Sequence, residues 1–324
     1  MSAVPSGAPP GSPVGPPVGA TPGSPAVRPS RIRIGLLAIR PATLPAALSG
    51  VVVGLGAALA VGAPFRLDAA AGCLAVALLL QIAANLSNDL SDFRRGADTA
   101  DRTGPIRVAA AGLMTERQLE AAIGLTIGAA AVVGLGLVSI GGPVLIVVGA
   151  LAIVAALAYT GGPFPYGYRG LGEVFVFVFF GLVAVAGTAF LQAGRLEPLF
   201  VVAAIPMGAL TSAILVVNNL RDIPTDAAAG KRTLAVRLGR RATEREYALL
   251  LAVAFVIPAG LFAAEGRVSI LLPLLAAPIA LPLLRTVRTF GDPRRLNPVL
   301  KGTARLVLVY GALFATGLAI ATPS

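Results

Sequence analysis

Apolar positions in this chain fall in long unbroken runs, separated by short clusters of charge. Nine runs stand out, at approximately 34–62, 68–90, 118–138, 142–160, 171–192, 199–221, 245–264, 268–288 and 303–321. Most hold roughly 20 residues, enough for a helix to cross a hydrocarbon core of about 30 Å. The two-residue alternation of a barrel strand is absent, so the runs are expected to be helices whose backbone groups are satisfied internally. The predicted fold is an all-α, polytopic membrane protein with nine transmembrane helices.

Composition agrees. The 324 residues are 56% hydrophobic and 13% charged, with a mean hydropathy of +0.85, which excludes an ordinary soluble domain. Residues 1–30 differ from the rest: they are rich in Pro and Gly, carry Arg28 as their single charge and lack an apolar core of signal-peptide type. They read as a disordered tail ahead of a membrane domain spanning 31–324.

Basic residues give the topology. Of the 26 Lys and Arg, all but Arg66, Arg195 and Arg267 fall on one side when connections are alternated across nine spans. That asymmetry predicts nine spans with a cytoplasmic N-terminus, and the multi-pass protein is expected in the cell inner (plasma) membrane. It also accounts for the net charge of +11 without nucleic acid, since no soluble basic domain or aromatic-interleaved patch is present.

Two acidic clusters interrupt this pattern at the cytoplasmic ends of apolar runs. One runs from Asn85 through Asn88, Asp89 and Asp92 to Asp98 and Asp101; the other runs from Asn218 and Asn219 through Asp222 to Asp226. Together they hold six of the fifteen acidic residues. Carboxylates beside a membrane are costly unless something cationic requires them. On a helix, Asn85, Asn88, Asp89 and Asp92 fall at spacings of three and four, as do Asn218, Asp222 and Asp226, so each set presents its oxygens on one face. The chain has no histidine and a single cysteine, Cys73, which removes imidazole and paired thiolates as ligands. Oxygen donors of this kind suit magnesium carrying a diphosphate. The alternative is that these groups cap helix ends or sit solvated at the interface.

The flanking loops are basic. Arg94, Arg102, Arg107, Lys231 and Arg232 could reach the phosphate oxygens, although Arg94, like Arg237, Arg240 and Arg241, reads rather as a topology signal or lipid-headgroup contact. Arg40 and Arg169, at cytoplasmic helix ends, are candidates for phosphate or a substrate carboxylate. Tyr166, Tyr168 and Glu173 are candidates for orienting or deprotonating an aromatic hydroxyl. Interfacial anchoring and a helix-start carboxylate are the competing explanations for these three.

Asn88-Asp89-x-x-Asp92, followed by Asp98-x-x-Asp101-Arg102-x-Gly104-Pro105, resembles the first aspartate motif of the UbiA superfamily of intramembrane aromatic prenyltransferases. Asn218-Asn219-x-Arg221-Asp222-x-x-x-Asp226-x-x-x-Gly230-Lys231-x-Thr233 resembles the second. The branch acting on 1,4-dihydroxy-2-naphthoate in menaquinone synthesis is the most similar, through Arg40-Pro41-x-Thr43-Leu44-Pro45, Pro165 to Glu173, and Leu296-Asn297-Pro298-x-Leu300-Lys301-Gly302. Where the general first motif ends in aspartate this chain has Gly96, with Asp98 two residues on, as is typical of that branch.

The resemblance runs from about residue 33 to 321. It implies nine helices around a central cavity capped by cytoplasmic loops. Polyprenyl diphosphate and 1,4-dihydroxy-2-naphthoate would be the substrates, in contact with membrane lipid. Mg2+ would be held among Asp89, Asp92, Asp98, Asp222 and Asp226. Catalysis would rest on Asp89, Asp92, Asp222 and Asp226. Substrate binding would fall to Arg40, Asn85, Asn88, Arg102, Tyr166, Tyr168, Arg169, Asn218, Lys231 and Arg232. Other acceptors in the superfamily, 4-hydroxybenzoate and homogentisate among them, are the nearest alternative. A secondary transporter is a more distant one, since it would place acids at the membrane midplane rather than on one face.

Overall fold

In the computed structural model, residues 29–97, 104 and 106–320 are described. Asp98, Asp101, Arg102 and nearly all of the tail expected at 1–30 lie outside them. The described residues form helices without strands. In chain order these are α1 (Arg31–Ile39), α2 (Leu44–Ala60), α3 (Leu67–Arg94), α4 (Glu116–Gly141), α5 (Val144–Ala158), α6 (Gly172–Ala193), α7 (Pro198–Arg221), α8 (Ile223–Ala228), α9 (Leu234–Leu238), α10 (Arg240–Glu265), α11 (Val268–Thr289) and α12 (Leu296–Ala319). Eight stretches, with α1 and α2 counted as one, are long and apolar enough to cross a membrane. The shorter apolar α5 makes the ninth segment.

The run expected at 34–62 is broken at Arg40. This residue closes α1 in the left-handed region, at φ 56° and ψ 71°. Among the described residues it is the only non-glycine with positive φ, a conformation that an L side chain adopts at a cost. Pro41 follows, which disfavours helix at the preceding residue. Other boundaries follow local chemistry. Thr115 and Gln118 form a reciprocal capping box at the start of α4, and glycines in the left-handed region, Gly194 and Gly266, end α6 and α10.

Packing divides the molecule. α2, α6, α7, α10, α11 and α12 share a dense core around Phe200, Met207, Leu210, Tyr247, Tyr310 and Phe314. Small residues allow this: a Cβ on Gly56 would lie 2.4 Å from the Ala315 carbonyl oxygen, and one on Gly181 would lie 2.7 Å from the Gly208 Cα. The Gly181 contact sits in a π-helical stretch of α6, Phe177–Ala186, a rare form of helix that is frequent at functional sites. The outer faces stay apolar; Leu125, Val132 and Leu135 on α4 are exposed, as expected of side chains meeting lipid. On the other side of the core, α1–α7, with residues of α8, α12 and the connections, line a cavity of about 650 Å³.

Candidate active site

One end of the cavity is polar and the rest is apolar. The apolar walls include Val51, Leu80, Leu137, Val148, Phe179 and Val183, from five helices. The polar end collects Asn85, Asn88 and Asp92 from α3, Asn218 and Asp222 from α7, Asp226 from α8, and Arg107, Tyr168 and Lys231 from the connections. Residues 130 positions apart in sequence thus share one cap.

Asp92 is the hub. Its Oδ2 accepts from Arg107 Nη2 at 2.7 Å, and its Oδ1 accepts from the Tyr168 hydroxyl at 2.6 Å and from Lys231 Nζ at 3.3 Å. Lys231 also approaches Asp226 Oδ1 at 3.9 Å and lies 4.8 Å above the Tyr168 ring, so a single ammonium joins the two motifs. Asp222 is gripped by the Arg221 guanidinium through Nε at 2.7 Å and Nη2 at 2.6 Å. The same Arg221 also reaches Asn218 and, on α12, Asn297, each at 2.9 Å.

Asp89 behaves differently. It is 1% exposed and does not line the cavity. Its two oxygens accept the backbone N–H groups of Val108 and Ala109, each at 3.0 Å, with Arg40 Nη2 at 3.4 Å. It therefore anchors the turn that carries Arg107. Asn85 likewise ties Ile39 and Thr43 to α3, through Nδ2 bonds of 2.8 and 2.9 Å.

Other predicted residues scatter. Arg40 lines the cavity beside Thr43. Arg169 is exposed and stacks over Phe164 at 4.0 Å, and Arg232 is exposed; neither lines the cavity. The Tyr166 hydroxyl turns away to donate to the Ala155 carbonyl at 2.9 Å, and burial pushes it above the ordinary phenol range. Glu173 is buried outside the cavity wall and bonds Asn219 at 2.8 Å. Arg107, one of the basic phosphate candidates, does line the cap, whereas sequence reasoning missed Tyr159, Asn219 and Lys301, all of which line the cavity. For Asn219 the signal was present, since it adjoins Asn218 inside a recognised motif.

The charged and amide oxygens facing the cap, from Asp92, Asp222, Asp226, Asn88 and Asn218, are of the kind that a hard cation such as Mg2+ prefers, although among the described residues no three acidic side chains are grouped closely enough to hold a metal ion.

Comparison with known proteins agrees with this geometry. The UbiA prenyltransferase family pattern matches residues 47–309. The chain belongs to that family. It is 46% identical over 280 residues, 86% of this chain and 94% of the relative, to a 1,4-dihydroxy-2-naphthoate octaprenyltransferase of Mycobacterium tuberculosis. It is 38% identical over 299 residues, 89% of this chain and 96% of the relative, to the Escherichia coli protein of the same name. Among solved structures, a UbiA homolog from Aeropyrum pernix K1 superposes with a TM-score of 0.62 at 17% identity, over 90% of this chain and 99% of that one. A UbiA homolog from Archaeoglobus fulgidus bound to GPP and Mg2+ gives a TM-score of 0.59 at 15% identity, over 87% and 99%. This UbiA-family chain is thus a multi-pass, all-helical membrane protein.

Proposed function

We propose that the protein transfers a polyprenyl group from polyprenyl diphosphate to 1,4-dihydroxy-2-naphthoate with loss of carbon dioxide, yielding demethylmenaquinol in menaquinone biosynthesis. The observation that carries this reading is the cavity itself, in which a charged cap with both acidic motifs opens directly onto an apolar trough. A diphosphate with a long hydrocarbon tail has the same polarity profile. The names and high coverage of the 1,4-dihydroxy-2-naphthoate octaprenyltransferase relatives support this acceptor.

In this reading the cap faces the cytoplasm of the inner membrane. Mg2+ would be held among Asp92, Asp222, Asp226, Asn88 and Asn218, and when bound it neutralises diphosphate charge. Lys231 and Arg107, both already beside Asp92, would meet the phosphate oxygens and stabilise the charge that builds as the allylic C–O bond breaks. The apolar walls, including Phe179 and Phe180, keep water from the allylic cation. The carboxylate-bearing ring carbon supplies the electron pair for the new C–C bond. Carbon dioxide then departs, leaving its bonding pair to restore the aromatic ring.

The test combines detergent-purified protein, dihydroxynaphthoate, a polyprenyl diphosphate and magnesium, with mass spectrometry for the decarboxylated prenylated product. Absence of that product while 4-hydroxybenzoate or homogentisate is prenylated would overturn the acceptor assignment. Prenylation undiminished by Asp222→Asn would overturn the site.

A further inference from the structure

Asn219 occupies an unusual position in the second motif. Its side chain is 4% exposed yet lines the cavity, and its Nδ2 donates to Glu173 Oε1 at 2.8 Å. Glu173 is itself buried, and its backbone carbonyl accepts from the Ser212 hydroxyl on α7 at 3.1 Å, which fixes α6 against α7. A carboxylate accepts and does not donate, so it selects one orientation of the neighbouring amide. The nitrogen turns to Glu173 and the carbonyl oxygen turns the other way. Among the described residues that Oδ1 has no protein donor, and it is not sealed from the cavity. The other cap amides differ: Asn88 Oδ1 accepts from Thr160 at 2.9 Å, and Asn218 Oδ1 accepts from Arg221 at 2.9 Å.

The wall near Asn219 is aromatic. Tyr159 and Tyr166 meet edge to face at 5.4 Å, Tyr166 stacks on Phe175 at 4.0 Å, and Phe175 stacks on Phe179 at 6.3 Å. All four line the cavity, forming a ladder from the polar cap into the apolar trough. Gly172 beside Glu173 keeps this wall close: a Cβ there would lie 3.0 Å from Leu215 and 3.3 Å from Tyr159. Flat rings pack on such a surface by offset or edge contacts.

We infer that this corner is the subsite for the aromatic co-substrate, with Asn219 Oδ1 accepting a hydrogen bond from its ring hydroxyl and Glu173 acting as the positioning residue that orients the amide. This rests on the proposed naphthoate prenylation and specifies where the acceptor lies. The hydroxyl concerned is the 4-hydroxyl, because the 1-hydroxyl has the adjacent carboxylate as an internal acceptor.

The decisive experiment compares two ligands. Asn219→Ala is expected to raise KM for dihydroxynaphthoate about 10-fold, the scale of one lost hydrogen bond. The inhibition constant of 1-hydroxy-2-naphthoate, which lacks that hydroxyl, should stay within about 2-fold, as should KM for polyprenyl diphosphate. Glu173→Leu should reproduce this split. Glu173→Gln keeps an acceptor for the Asn219 amide and should restore near wild-type values. Asn219→Ser provides the same comparison if the alanine variant does not fold. Parallel changes for both naphthoates, no change for either, or an equal rise for polyprenyl diphosphate would each overturn the inference. If wild-type protein makes no product from dihydroxynaphthoate, the functional reading fails instead.

Discussion

The two acidic motifs close one cavity with similar spacing, yet they use their carboxylates differently. In the first, α3 continues to Arg94, so Asp89 sits more than a turn inside the helix and faces the 106–112 turn, whose backbone N–H groups it binds. Asp92, three residues on, faces the cap. In the second, α7 stops at Arg221, which leaves Asp222 at the helix end and Asp226 one turn further on in α8, both lining the cavity. Matching motif letters therefore do not imply matching roles. Helix length decides which carboxylate lines the cavity and which holds the loop.

The sharpest way to break that comparison is to neutralise one acid of each kind. Asp226→Asn is expected to lower kcat/KM about 1,000-fold in the prenylation assay, the scale of losing a key electrostatic group. Chelation of divalent metal should abolish product formation in wild-type protein, and Asp226→Asn should need more magnesium for half-maximal rate. Lys231→Ala should raise KM for polyprenyl diphosphate roughly 10- to 100-fold by removing a charge-assisted phosphate contact. Asp89→Asn should act mainly on stability. It places an amide against backbone N–H groups and costs about 1–3 kcal/mol, read as a lower unfolding temperature. An Asp89→Asn protein that unfolds like wild type but is as inactive as Asp226→Asn would erase the distinction. The smallest effect is expected at Arg169→Ala and Arg232→Ala. Both residues are exposed and neither lines the cavity, so activity should stay within about 2-fold.

The helix count, the membrane character and the two acidic motifs could be read from the chain because each depends on local pattern. An apolar run of about 20 residues has few alternatives to a spanning helix. The break at Arg40 was less legible, since the apolar run passes through it. Helical periodicity brought Asn88 and Asp92 to one face, and both do line the cavity. The same rule placed Asp89 with them, because spacing along one helix says nothing about the loop that folds back over it. The basic loop marked Arg107 as a phosphate candidate, but its pairing with Asp92 was not legible, because it depends on the turn that Asp89 anchors.

Sequence alone thus determined the class of molecule, the number of apolar segments and the chemistry available to it, namely oxygen donors and basic side chains without histidine. Only tertiary structure decided which of those groups share a cap. The contacts that matter, such as Lys231 with Asp92 and Arg221 with Asn297, join segments far apart in the chain. They form when helices pack, at a closeness set by small residues such as Gly56 and Gly181 rather than by the motifs themselves.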